Sequence, residues 1–136
     1  MRTDSDVINY IYSIINVSGV TSIIDGIIYK GIKKINSELQ DIVILSLPVN
    51  NNDTQSATVI INAFCVDFIE TGTQNRAKLT SIANAIITAL ESYVKTAGVY
   101  FQYDIISQNI IKSEEQENMS YVSIRLNCWI ENDSEV

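Results

Sequence analysis

The residue types that usually carry chemistry are scarce in this chain and poorly spaced. Histidine is absent, which removes Ser–His and Cys–His nucleophile pairs, imidazole metal ligation and the commonest general base near neutral pH. The two cysteines, Cys65 and Cys128, lie far apart in the chain and lack the close spacing of metal ligands. Each sits in a strand-like stretch, so a buried, reduced thiol is expected; a cross-strand disulfide would require the two strands to be neighbours. The five glycines (Gly19, Gly26, Gly31, Gly72, Gly98) form no phosphate-cradling loop. Asn50 to Asp53 resembles a fragment of a calcium loop but has neither the alternating spacing nor the closing glutamate. A fold could still bring an Asp/Glu pair together, for example Asp67 with Asp104, but the sequence does not place them. No catalytic residue, cofactor or metal ligand is assigned, and an enzyme is not expected.

Charge offers more. Nine Lys+Arg against sixteen Asp+Glu give a net charge of −7, which lacks the basic footprint of a nucleic-acid binder. The imbalance is uneven. Lys30, Lys33 and Lys34 lie between Gly26 and Asn36 with no acid among them, whereas Glu114, Glu115, Glu117, Glu131, Asp133 and Glu135 follow Ser113 with Arg125 as the single base. Such clusters are commonly solvated faces. They also suit a basic and an acidic surface through which copies meet head to tail. The four Asn-x-Ser/Thr patterns, at Asn16, Asn52, Asn118 and Asn132, are what thirteen asparagines in a Ser/Thr-rich chain produce by chance. The start, MRTDSD, is acidic and polar where a secretory signal would carry a basic start and an apolar stretch.

The elements that would position these residues can be read from periodicity. Val7, Ile8, Ile11, Ile14 and Ile15 fall on one stripe of a helix from about Asp4 to Asn16, capped by Thr3 or Asp4 and stopped by Ser18-Gly19. Gly26 to Glu38 reads as a short strand or hairpin arm, and Asp41 to Pro48 as a β-branched strand ended by proline. A polar turn at Asn50 to Asp53 leads to a strand over Ala57 to Phe68 that is apolar on both faces and therefore central. Leu79, Ile82, Ala83, Ile86, Leu90, Tyr93 and Val94 mark a long helix from about Gln74 to Lys95, with Gly98 as its stop.

Two strands, Val99 to Ile111 and Tyr121 to Ile130, close the chain around the polar tip Ser113 to Asn118. The last strand sets Val122, Ile124, Leu126, Cys128 and Ile130 on one face and Tyr121, Ser123, Arg125, Asn127 and Trp129 on the other. The second set suits either a protein interface or a half-exposed strand face. The expected fold is α+β: a single domain over residues 1–136, order α-β-β-β-α-β-β. Its antiparallel-dominated sheet of about five strands carries two amphipathic helices on one face. At 46% hydrophobic residues the chain can build a core without disulfide or metal staples.

Several phrases carry a family likeness: DGIIYKG (Asp25 to Gly31), ELQDIVILSLPVNN (Glu38 to Asn51), QSATVIINAFCVDF (Gln55 to Phe68) and LTSIANAIITALE (Leu79 to Glu91). Together with the element order, over Val7 to Ile130, they resemble the tail terminator, or tail completion, proteins of long-tailed bacteriophages, particularly those of Bacteroides-type phages and prophages. The 24 isoleucines and thirteen asparagines suit an AT-rich coding genome, as in many bacteria and their phages. The resemblance implies a structural virion protein at the head-proximal end of the tail, made in the bacterial host cytoplasm. It implies a homo-oligomeric, sixfold ring on the tail tube protein that ends tube polymerisation and presents the surface joined by a neck or head-completion protein. DNA would pass through the lumen without specific binding, and no membrane is involved. An acidic lumen repels the duplex and lets it slide.

The family brings no active-site residues. The candidate interface residues are Lys30, Lys33, Lys34, Glu114, Glu115, Glu117, Tyr121 and Trp129. Two other readings stand beside this one: a head-completion or neck connector protein, and a cellular small-ligand-binding α+β domain with a pocket between helix and sheet.

Overall fold

In a computed structural model, described here for residues 4–47, 56–93 and 99–132, the chain folds as one five-stranded sheet with its helices packed on one face. Helix α1 (Asp4–Ile15) is followed by a single turn, α2 (Ser18–Thr21), then by strands β1 (Ile28–Lys30), β2 (Ile42–Ser46) and β3 (Ser56–Val66). Helix α3 (Arg76–Ser92) and the long hairpin β4 (Val99–Lys112) and β5 (Met119–Asn132) complete the domain. This is the expected α+β architecture with one addition. Ser18-Gly19 does not simply stop the first helix but starts a short helical turn, which buries Val20 completely. The Thr3/Asp4 cap, Pro48, the Asn50 to Asp53 turn with Asn52, and Val94, Lys95 and Gly98 lie outside the described residues, as do Asp133, Glu135 and the side chains of Ile130, Glu131 and Asn132.

The strand order is β1-β2-β3-β5-β4. Strand β3 is central, as its two apolar faces require, and pairs antiparallel with both β2 and β5. β4 pairs antiparallel with β5. β1, by contrast, runs parallel to β2, so Gly26 to Glu38 is a strand but not a hairpin arm. A parallel neighbour cannot be reached by a tight turn. The chain must return to the start of β2, and it does so through an irregular strap, residues 31–41.

The core forms where the inward-facing half of each strand meets the helices. Ile42, Ile44, Val59, Ile61, Ala63, Val122, Ile124, Leu126 and Cys128 are buried beneath Val7, Ile11, Ile14 and Ile15 of α1 and Leu79, Ile82, Ala83, Ile86 and Leu90 of α3. The helix stripes read from the 3.6 period are therefore the buried stripes. Asn75 caps α3 by accepting a hydrogen bond on its side-chain oxygen from the Lys78 N–H (3.2 Å). At the β4 side the core closes on an aromatic group. The Tyr10 and Tyr93 hydroxyls are 2.7 Å apart, and Phe101 packs against both rings, with centroids 5.5 and 5.8 Å away.

Candidate interaction surface

The other face of the sheet carries no helix among the described residues. Side-chain alternation places Ile60, Asn62 and Phe64 of β3 there, beside Val43 and Leu45 of β2 and Tyr121, Ser123, Arg125, Asn127 and Trp129 of β5. Phe64 and Tyr121 face each other across the ladder with ring centroids 5.0 Å apart, and Thr58 donates to the Asn127 side-chain oxygen at 3.1 Å. Tyr121 and Trp129, both expected at an interface, are half-buried on this face.

The strap crosses part of it, and a buried carboxylate fixes the strap's ends. Asp41 is fully buried. Its oxygens accept from the Ile27 N–H (3.0 Å) and the Ser37 hydroxyl (2.6 Å), while Asp25 accepts from the Gln40 N–H (2.6 Å). These bonds clasp the segment before β1 to the segment before β2. Gly26 sits inside the clasp, where a Cβ would lie 2.2 Å from the Asp41 carboxylate and 2.5 Å from the Gln40 carbonyl oxygen. At Gly31 the backbone turns with φ +92°, and at Asn36 with φ +60°, conformations that favour Gly and tolerate Asn.

Along the strap the usual polarity is reversed. Lys33 turns inward: its Nζ lies 5.0 Å from the Phe64 ring centroid and donates to the Gln116 side-chain oxygen at 3.1 Å. Ile32 and Ile35, each 82% exposed, point to solvent together with Lys34. Between strap and sheet is a cavity of about 390 Å³ lined by Lys33, Lys34, Val43, Asn62, Phe64 and Glu115, among others. Within this region the Asn62 side-chain oxygen is buried without a hydrogen-bond partner. Lys30 lies on the helix side of β1, 4.5 Å from the Tyr12 ring centroid.

The hairpin tip has its own anchor. Asp67, buried at the end of β3, accepts from the Ser120 hydroxyl (2.7 Å) and pairs with Lys112, which also donates to the Glu117 carbonyl. Asn118 donates to the Glu38 carboxylate at 3.2 Å. Glu114, Glu115 and Glu117 are exposed. The basic segment and the acidic tip were expected to meet between copies; the structure sets them side by side in one chain, joined through Lys33 and Gln116. The sequence reading missed this Lys33–Gln116 tie, the Asp41 clasp and the outward isoleucines. The only signal for them was the run of lysines interrupted by apolar residues.

Asp67 and Asp104 do not meet, since Asp67 is held beside Ser120 whereas Asp104 stands opposite Asn127 further along β5. Among the described residues no three of His, Cys, Asp and Glu group as a metal site, and no helix is long and apolar enough to cross a membrane. Both cysteines are buried free thiols. Their strands are adjacent, but Cys65 stands opposite Ser120 and Cys128 opposite Ala57, a separation no disulfide spans. Burial pushes the Cys65 thiol up and the Cys128 thiol up to about 12, which disfavours the nucleophilic thiolate.

No protein-family model and no curated protein matches the sequence. Among solved structures the fold is similar to that of a chain from the virion of a native gene transfer agent (GTA) particle. The TM-score is 0.54 at 10% sequence identity, and the likeness covers 90% of this chain and 92% of the other.

Proposed function

We propose that this chain is a structural component of a phage-like virion, and within that class a tail terminator: a subunit of a ring, six copies by family resemblance, that caps the tail tube, ends its polymerisation and presents the surface joined by the neck. The observation that carries the reading is the fold shared, over nearly the full length of both chains, with a component of a gene transfer agent virion. The surface supports it. A virion subunit needs faces that are folded yet unfilled, and this sheet has a face with no helix over it among the described residues, carrying half-buried aromatic residues beside an apolar, basic strap. The tail tube protein and a neck or head-completion protein are the partners this reading requires, with DNA passing through an acidic lumen. The protein acts by assembly and not by catalysis.

Negative-stain imaging of the concentrated protein, with its solution mass, tests the class. Rings with a central hole, near 91 kDa for six copies of the 15.2 kDa chain, are the expected result. Capping of purified tail tubes tests the role: added protein should bind one end of each tube and stop its growth. Rings that ignore tubes but bind head portals would select the neck instead. Absence of any assembly, alone or on tubes, would overturn the virion reading.

A further inference from the structure

The loop between β3 and α3 holds an isoleucine out in water on a braced backbone. Ile69 is 93% exposed, and Phe68 beside it is half-exposed. The Phe68 N–H donates to the Thr73 carbonyl (2.9 Å), the Gly72 N–H donates to the Phe68 carbonyl (2.7 Å), and the Thr71 and Thr73 hydroxyls are 2.7 Å apart. Gly72 supplies the φ of +67° at this turn. Glu70, also exposed, follows Ile69 directly. The loop is thus a preformed knob, apolar with a carboxylate next to it. The cavity between strap and sheet has the complementary chemistry. Val43, Leu45 and Phe64 give it apolar walls, and the exposed Lys34 lines it opposite in sign to Glu115. Lys33 adds a second ammonium over the Phe64 ring, so cations outnumber acids there. The buried Asn62 oxygen in this lining has no hydrogen-bond partner. The N–H groups of Ile69 and Glu70, in turn, have no acceptor among the described residues.

From these two features we infer that the loop of residues 68–73 in one copy seats in the strap cavity of another, with Ile69 against Val43, Leu45 and Phe64 and Glu70 toward Lys34. The inference rests on the reading of the chain as a self-assembling virion subunit and names the surfaces it uses. No residue of the loop lines the cavity of its own chain, so the occupant comes from outside. At about 390 Å³ the cavity is of the size that encloses a compact apolar group. Loop and cavity are different surfaces, so the contact is heterologous and can repeat from copy to copy until it closes into a ring. Loop against loop about a twofold axis, the other use of an exposed isoleucine, would set Glu70 against Glu70. Both partners are already ordered, the loop by its own hydrogen bonds and the strap by the Asp41 clasp and Lys33, so little conformational freedom is lost on contact.

The test is sedimentation velocity on the full chain and three variants at exposed positions, Ile69→Lys, Glu70→Lys and Lys34→Glu, with circular dichroism confirming that each folds. The wild type should self-associate. Ile69→Lys should do so at least about tenfold more weakly, because an ammonium then has to enter an apolar cavity flanked by lysines. That substitution moves the net charge from −7 to −6, so general repulsion predicts the reverse. Glu70→Lys and Lys34→Glu should each weaken association by about threefold or more. Their equimolar mixture should recover it, since each loop then finds a cavity of opposite sign in the other variant. If Ile69→Lys associates like the wild type, the loop is not in the contact and the inference fails, while the ring reading survives. If Ile69→Lys weakens assembly but the mixture recovers nothing, the loop packs on a surface other than the cavity and the inference fails as well. A wild type that stays monomeric up to about 1 mM, beyond the range of specific contacts, overturns the loop–cavity contact; tube capping then decides the ring reading separately.

Discussion

The two faces of this sheet are made by the same strands, residue by alternate residue, and meet opposite fates. Along β3 the inward residues Val59, Ile61 and Ala63 are wholly buried, whereas their neighbours Ile60, Asn62 and Phe64 are only half-covered. Chemical type does not explain the difference, since Ile60 and Phe64 are as apolar as Ile61. What differs is the layer above. Two amphipathic helices seal one face, while on the other the described residues supply a strap that turns a lysine in and two isoleucines out. A face left that apolar by its own chain is suited to be covered by another.

The largest effects should come from opening the sealed face. Ile61→Ala or Ile124→Ala removes a fully buried side chain and should cost about 2–5 kcal/mol in urea unfolding. Ile60→Ala, one position along, should cost less than about 1.5 kcal/mol in the isolated chain. Equal losses would mean that the outer face is covered after all.

Next in size is the clasp that carries the strap. Gly26→Ala drives a methyl group into the Asp41 carboxylate and the Gln40 backbone, and should cost about 1–3 kcal/mol. Asp41→Ala leaves the Ser37 hydroxyl and the Ile27 N–H without their acceptor and should cost a similar amount. In both variants limited proteolysis should cut within residues 31–40 sooner than elsewhere. Uniform cleavage would show that the strap is not a separately anchored unit.

A pH series probes the sealed face from within. Cys128 is raised in the fold from an ordinary 9.0 to about 12, so the folded state holds its proton more tightly than the unfolded state. Its contribution is complete below about pH 9 and is lost as pH rises toward 12, with a slope of at most about 1.4 kcal/mol per pH unit. Urea unfolding between pH 8 and 10.5 should show a shallower decline for Cys128→Ala than for the wild type (both pH limits are about the ends of the usable window). Parallel curves would mean that this thiol is not sealed.

The smallest effect separates two adjacent lysines. Lys33→Ala loses the contact with Phe64 and the bond to Gln116 and should cost about 0.5–1 kcal/mol. Lys34→Ala, at an exposed side chain, should leave monomer stability unchanged. A stability loss at Lys34 equal to that at Lys33 would erase the distinction between inward tie and outward crest.

Period and chain order were enough for much of this protein. The 3.6 spacing of Val7, Ile11 and Ile14, and of Leu79, Ile82 and Ile86, determined two helices and which of their faces lie inside, because burial of an apolar stripe is a local pattern read once per turn. Alternation in β3 and β5 likewise determined the central strand, and Tyr121 and Trp129 could be placed on the face opposite the core. The absence of histidine and the scattered glycines shaped the expectation of a non-catalytic protein. Tertiary structure decided the rest. Whether Lys33 points in or out depends on Phe64 and Gln116, which lie 31 and 83 positions away, and no local period encodes that. The parallel direction of β1, the clasp around Gly26, and the approach of the basic strap to the acidic hairpin tip arise only when distant segments are laid side by side. Pairing and charge juxtaposition are properties of space and not of spacing.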